Sequence, residues 1–143
     1  MISNPSPGQK YNIKLVSSEY TSLCPVTGQP DFGEIEINYI PSDVIVETKS
    51  LKMYLASYRN EKTFNEAAVN SMLEDLVALL KPERIEVKGT FAQRGGIQLT
   101  VTASHPQNWW CFVGKKWPYI PCRNWSCLLY TSDAAAEGVG VGR

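Results

Sequence analysis

Residues 63–91, TFNEAAVNSMLEDLVALLKPERIEVKGTF, change their hydrophobic period in mid-stretch, and that change decides the fold. From Val69 the apolar side chains Met72, Leu73, Leu76, Val77 and Leu80 recur at helical spacing, whereas Ile85, Val87 and Phe91 recur in the two-residue phase of a strand. Lys81-Pro82 ends the first pattern, because a proline ring clashes with a continuing helix and lacks the N–H that would sustain it. The stretch therefore predicts a helix over 63–80 and a strand over 84–91. Thr63 with Glu66 three residues later has the form of a capping box, in which each side chain satisfies a free backbone N–H of the first turn.

Downstream, GIQLTVTA at 96–103 puts Ile97, Leu99 and Val101 in phase, so it is read as a strand joined to the previous one by AQRGG. Upstream, Leu51, Tyr54, Leu55 and Tyr58 fall on one side of a helix over 48–58, with Lys49 and Lys52 on another side. Before that, GEIEINYI at 33–40 alternates strictly and YNIKLVSS at 11–18 loosely, which predicts two antiparallel strands. The order is ββααββ. Two helices between two hairpins imply an α+β fold, an antiparallel sheet covered by helices on one face. Such a small sheet leaves open edges, which are often resolved by pairing subunits into a ring.

The chain of 143 residues is the size of one domain, with 43% hydrophobic residues and 14 basic against 14 acidic side chains. This even charge offers no footprint for direct nucleic-acid contact. No apolar run reaches the ~20 residues of a membrane span, and MISNPSPGQK lacks the regions of a signal peptide, so a cytoplasmic location is expected. In that compartment Cys24, Cys111, Cys122 and Cys127 are read as reduced thiols. None belongs to a Cys-x-x-Cys pair and the one histidine, His105, is not at ligand spacing, so no metal site is expected. The folded domain is placed at 1–106. Residues 107–143 are read as an irregular C-terminal extension in which Trp109, Trp110, Trp117 and Trp125 show no period. Its last part, YTSDAAAEGVGVGR, is read as disordered or extraneous.

The chemistry centres on Cys24, at the head of the proline- and glycine-punctuated stretch CPVTGQPD. A lone cysteine is commonly a small buried hydrophobe. The alternative is a nucleophile, which at neutral pH needs a base or donor close to the thiol, and Asp31 is the one acidic residue of the loop.

The runs CPVTGQPDF, ETKSLKMYLASYRN, FNE and RGGI together resemble the NADPH-dependent 7-cyano-7-deazaguanine reductases, the QueF family of queuosine biosynthesis. The likeness spans about residues 19–103 and includes that family's Glu-x-Lys-Ser-x-Lys signature, here Glu47, Lys49, Ser50 and Lys52. It implies the tunnelling fold (T-fold), a ring-forming homo-oligomer with active sites between subunits, a deazapurine substrate and NADPH as cofactor. It further implies that Cys24 adds to the nitrile carbon to form a thioimide and that Asp31 donates and accepts protons. Glu47, Thr48, Lys49, Ser50, Asn65 and Glu66 would contact the substrate, and Lys49, Lys52, Arg94 and Gly95 the cofactor. For Glu66 the capping role remains the competing reading. The Gly138-x-Gly140-x-Gly142 run is followed by no helix and so does not compete as a dinucleotide-binding turn.

The sequence departs from the resemblance at Phe64-Asn65-Glu66, where the family has Phe-His-Glu. Asparagine cannot titrate near neutral pH, so one proton carrier is absent. This leaves open two rival readings, an amidinotransferase of the archaeosine-forming kind and a deazapurine-binding protein that does not reduce the nitrile.

Overall fold

The computed structural model describes residues 1–106; the readings made for the C-terminal extension and for Cys111, Cys122 and Cys127 lie outside the described residues. The elements in chain order are β1 (Ile2–Ser3), β2 (Ile13–Leu23), β3 (Pro30–Ile40), β4 (Val44–Ile45), α1 (Thr48–Ser57), a 3-10 turn (Tyr58–Asn60), α2 (Asn65–Leu80), β5 (Arg84–Phe91) and β6 (Thr100–His105). β2, β3, β5 and β6 form an antiparallel sheet in that order, and β1 pairs with β4 in a small ribbon that periodicity did not signal. The four-stranded sheet and its helices have the expected ββααββ order, to which β1 and β4 are added, and the class is α+β as expected.

The core forms where α1 and α2 lay their apolar stripes on the sheet. Val69, Met72, Leu73, Leu76 and Leu80 of α2 and Leu51 and Leu55 of α1 are buried with Ile35, Ile37 and Tyr39 of β3 and Ile85, Val87 and Phe91 of β5. Gly89 seats the Phe91 ring: a Cβ there would stand 2.8 Å from Phe91 Cζ and 2.8 Å from Val69 Cγ2. Gly89→Ala is therefore expected to lower stability by about 1–3 kcal/mol through overpacking, seen as a lower denaturation midpoint, with the thiol chemistry of Cys24 retained.

Three boundaries differ from the expectation, each for a physical reason. β2 and β3 run on to Leu23 and Pro30, so Asp31 lies in a strand and the connecting loop shrinks to residues 24–29. β6 starts at Thr100 rather than 96, because Arg94 and Ile97 close a tight turn through reciprocal backbone bonds of 2.9 Å and leave Ile97 75% exposed. Gly95 and Gly96, at φ of 55° and 80°, supply the two left-handed positions this hairpin turn demands. Finally, the capping box does not form. The Thr63 N–H donates to Leu23 C=O at 3.1 Å, and α2 begins two residues later behind Phe64, which is in extended backbone and makes no side-chain cap.

One irregularity determines the face of the sheet on which Cys24 lies. Ser17 pairs with Ile35 but Tyr20 pairs with Gly33, so β2 carries one extra residue in a β-bulge. The bulge exchanges the two faces of the strand: Ile13, Leu15 and Ser17 face the helices before it, Tyr20 and Ser22 after it. Two residues further on, Cys24 follows on the same side.

Candidate active site

β2 and β3 bring the thiol and the carboxylate together. Asp31 is the register partner of Ser22, so its side chain emerges on the helix-covered face one diagonal step from Cys24. Asp31 is 7% exposed and closes the row Asp31, Ile35, Ile37 and Tyr39 at the open end of the core. Cys24 is partly exposed.

The loop that carries Cys24 is closed on itself. Cys24 N–H donates to Gln29 C=O and Gly28 N–H donates to Cys24 C=O, both at 2.8 Å. Gly28 sits at φ of 70°, a position that would strain a side-chain-bearing residue. This turn aims donors at sulfur. The Cys24 thiol is pulled down to about 7, first by the Thr27 hydroxyl, then by the backbone N–H groups of Thr27 and Val26 and, beyond them, by Arg94; desolvation opposes them. Hydrogen bonds to the thiolate favour its charged form, which is the reactive one. Alkylation of Cys24 by iodoacetamide is accordingly expected to rise with pH through a midpoint near 7, against about 8.5 for an unperturbed thiol. A midpoint above 8 would contradict this arrangement of donors.

The start of α2 is tied to the same place. Leu23 N–H donates to Glu61 C=O at 2.9 Å and Leu23 C=O accepts from Thr63, so the segment entering α2 is bound to the residue before Cys24. Asn65 opens α2 with its Oδ1 buried and without a hydrogen-bond partner among the described residues. Ser22 Oγ is likewise buried and unpartnered among them. Glu66 stands exposed in the first turn, and with no capping bond its carboxylate is free to meet a ligand. Two acceptors and a hydroxyl near a reactive thiol can bind a polar heterocycle.

Arg94 is placed beside this cluster too. Its guanidinium pairs with the Asp31 carboxylate across the mouth of the site. Gly95, next in the turn, has open space where a Cβ would project.

The remaining residues of the expected site lie elsewhere in the chain. Glu47 precedes α1 and accepts a 2.5 Å bond from Ser50 Oγ. The adjacent Val46 N–H donates to Tyr39 Oη at 3.0 Å. Tyr39 stands eight residues past Asp31 on β3, roughly 26 Å along the strand at about 3.3 Å per residue. Thr48 and Lys52 line a groove of about 400 Å³ between β2 and α1, together with Glu19, Leu51 and Arg59; neither Cys24 nor Asp31 borders it. Lys49 and Lys52 are exposed and make no ion pair among the described residues. Within one chain, then, Cys24, Asp31, Arg94, Asn65 and Glu66 gather at one end of the sheet, and Glu47 and Ser50 belong to the other end.

Sequence reasoning missed Thr27, Ser22 and the Arg94–Asp31 pair. Thr27 lay within the quoted loop, and a threonine in a tight turn is a common donor to nearby groups. Ser22 could be placed on the helix-covered face only with the bulge known.

Comparisons with known proteins agree with the family resemblance carried by the sequence. The family described as QueF-like protein matches residues 30–109. The NADPH-dependent 7-cyano-7-deazaguanine reductase of Anaeromyxobacter sp. (strain K) is 54% identical over 102 residues, covering 71% of this chain and 84% of that protein. The protein of the same name from Helicobacter pylori (strain Shi470) is 56% identical over 96 residues, 67% of this chain and 66% of that one. The crystal structure of the archaeosine synthase QueF-Like in the apo form superposes with a TM-score of 0.59 over 71% of this chain and 94% of its own; at 24% identity this is a likeness of fold.

Proposed function

The chain belongs to the QueF-like protein family, and from that premise we propose that it reduces the nitrile of 7-cyano-7-deazaguanine to the aminomethyl group with NADPH, a step towards queuosine in tRNA. The observation that carries this reading is the pairing of a thiol lowered to about 7 with a nearly buried carboxylate on one face of the sheet.

Cys24 adds as thiolate to the nitrile carbon; a C–S bond forms, one C–N π bond opens, and the nitrogen takes a proton to leave a neutral thioimide. Asp31 relays that proton from the thiol to the nitrogen. Addition matters because a nitrile accepts hydride poorly, whereas the sulfur-bearing imine carbon accepts it well. When bound, NADPH supplies the hydrides, two in succession, for a four-electron reduction of the nitrile to the amine. Between the two reductions the C–S bond breaks, which returns Cys24 as thiolate and leaves an imine that would take the second hydride, with Asp31 again handling the proton. Glu66 anchors the N–H edge of the deazapurine, with Asn65 beside it as hydrogen-bonding group rather than proton carrier.

Lys49 and Lys52 fit a phosphate-bearing cofactor, since both are exposed ammonium groups without ion-pair partners among the described residues. Arg94 and Gly95 present a cation and an open backbone turn on the thiol side.

The separation of Glu47 and Ser50 from Cys24 supports a homo-oligomer with the site between subunits. β2 and β6 are the edges of the T-fold sheet and pair with no further strand among the described residues. A neighbouring copy docked there supplies the α1 residues that the chain cannot fold onto its own thiol. The substrate is a small molecule, and a cytoplasmic setting supplies NADPH.

The test is a stoichiometry. Purified protein, the nitrile and NADPH should yield the amine with two NADPH oxidised per nitrile consumed. Consumption of the nitrile only with ammonia, giving an amidine, would transfer the protein to the amidinotransferase class; binding without conversion would make it a deazapurine carrier.

A further inference from the structure

Asp31 is a buried carboxylate whose one charged partner among the described residues is Arg94, and it accepts no other side-chain hydrogen bond there. A carboxylate this far from water needs such compensation, or it turns towards solvent and away from the thiol. The backbone on both sides of the pair is fixed. Ala92 N–H donates to Phe32 C=O at 2.8 Å, which registers the hairpin entering Arg94 against the residue after Asp31. The Arg94–Ile97 turn then points the side chain back over β3, and Phe91, which packs edge-on to Tyr20 at 6.1 Å, floors the same end of the sheet. The same guanidinium also helps, after Thr27 and Val26, to lower the Cys24 thiol. Arg94 thus pairs with the carboxylate and bears electrostatically on the thiol with no cofactor involved.

We propose that Arg94 is a positioning residue of the thiol site: its ion pair holds the Asp31 carboxylate beside Cys24, so that covalent capture of the nitrile depends on Arg94 before NADPH binds. This deepens the reductase reading and rests on it for the identity of the nitrile. A role confined to the cofactor would leave every NADPH-free step untouched. The two roles therefore separate in experiments done without NADPH.

The experiment uses the full chain. Arg94→Gln and Arg94→Lys are compared with the unaltered protein for the pH profile of Cys24 alkylation by iodoacetamide, and for the rate of adduct formation with 7-cyano-7-deazaguanine in the absence of NADPH. In Arg94→Gln the alkylation midpoint should move upward and adduct formation should slow by about tenfold or more. Arg94→Lys, which keeps the charge but not the planar two-pronged donor, should recover only part of the loss. In an Asp31→Asn background the same Arg94→Gln change should cost adduct formation markedly less, because groups acting through one another are not additive. If both substitutions leave the alkylation midpoint and the NADPH-free adduct rate unchanged and alter only the NADPH concentration dependence, the proposal is overturned and Arg94 is a cofactor cation alone. Should Arg94→Gln fail to fold, Arg94→Lys and the Asp31→Asn pair decide the matter by the same readouts. Absence of an adduct in the unaltered protein would sink the nitrile chemistry, while the alkylation midpoint would still judge the role of Arg94.

Discussion

Cys24→Ala is expected to abolish turnover, leaving less than about 10⁻⁴ of the original rate, because Cys24 is the one thiol among the described residues. Stability should change little. The side chain is partly exposed and the loop is closed by backbone bonds that alanine retains, Cys24 N–H to Gln29 C=O and Gly28 N–H to Cys24 C=O. Cys24→Ser sharpens the comparison. It keeps the size and the donors of Thr27 and Val26, yet a hydroxyl does not ionise near neutral pH, so it should be nearly as inactive. Measured rates for both, with circular dichroism to confirm folding, check this; substantial activity in Cys24→Ala would remove the thiol from the chemistry.

The second large effect is expected at Asp31. Asp31→Asn keeps the shape and can still accept a hydrogen bond from Arg94, but it can neither receive the thiol proton nor pass it to nitrogen. A positioned acid-base group contributes about 10²- to 10⁴-fold, so a loss in that range is expected in both adduct formation and turnover. The position of Asn65 bears on the magnitude. With asparagine where the resemblance leads to the expectation of a histidine, Asp31 would carry the proton transfers with water alone, and the loss should then fall near the upper end of that range. Single-turnover measurements at several pH values would show it. A change below about threefold would mean that another group moves the protons, a loss far under what general acid-base catalysis supplies.

Much of this was legible in the sequence, and the parts that were not have identifiable causes. The helices and the central strands follow from clean periods, because the apolar side chains between Val69 and Leu80 and those of Ile35 and Ile37 serve the core. β2 was harder to read, since Ser17, Ser18 and Glu19 break its alternation where the bulge inserts one residue. Beyond the bulge the core face carries Ser22 and, across the ladder, Asp31, so polar residues stand where a pattern search expects apolar ones. Local rules fail at functional sites for this reason. The capping box at Thr63 and Glu66 is another such case: the local signal was sound, but a long-range bond from Thr63 to Leu23 outweighed it and left Glu66 uncapped. Cys24, Asp31, Asn65 and Glu66 were named from the sequence, and the fold brings them to one end of the sheet. Arg94 was named for the cofactor; its pairing with Asp31 depends on two hairpins placed side by side, which no single stretch of sequence displays.

The central claim is that Cys24 captures the nitrile covalently, and intact-mass spectrometry of the protein mixed with 7-cyano-7-deazaguanine tests it most directly. The expected result is a gain of one nitrile mass per chain, mapped by proteolysis to the peptide containing Cys24, absent in Cys24→Ala and discharged when NADPH is added. An unmodified protein alongside unchanged nitrile, or an adduct that persists in Cys24→Ala, would contradict it.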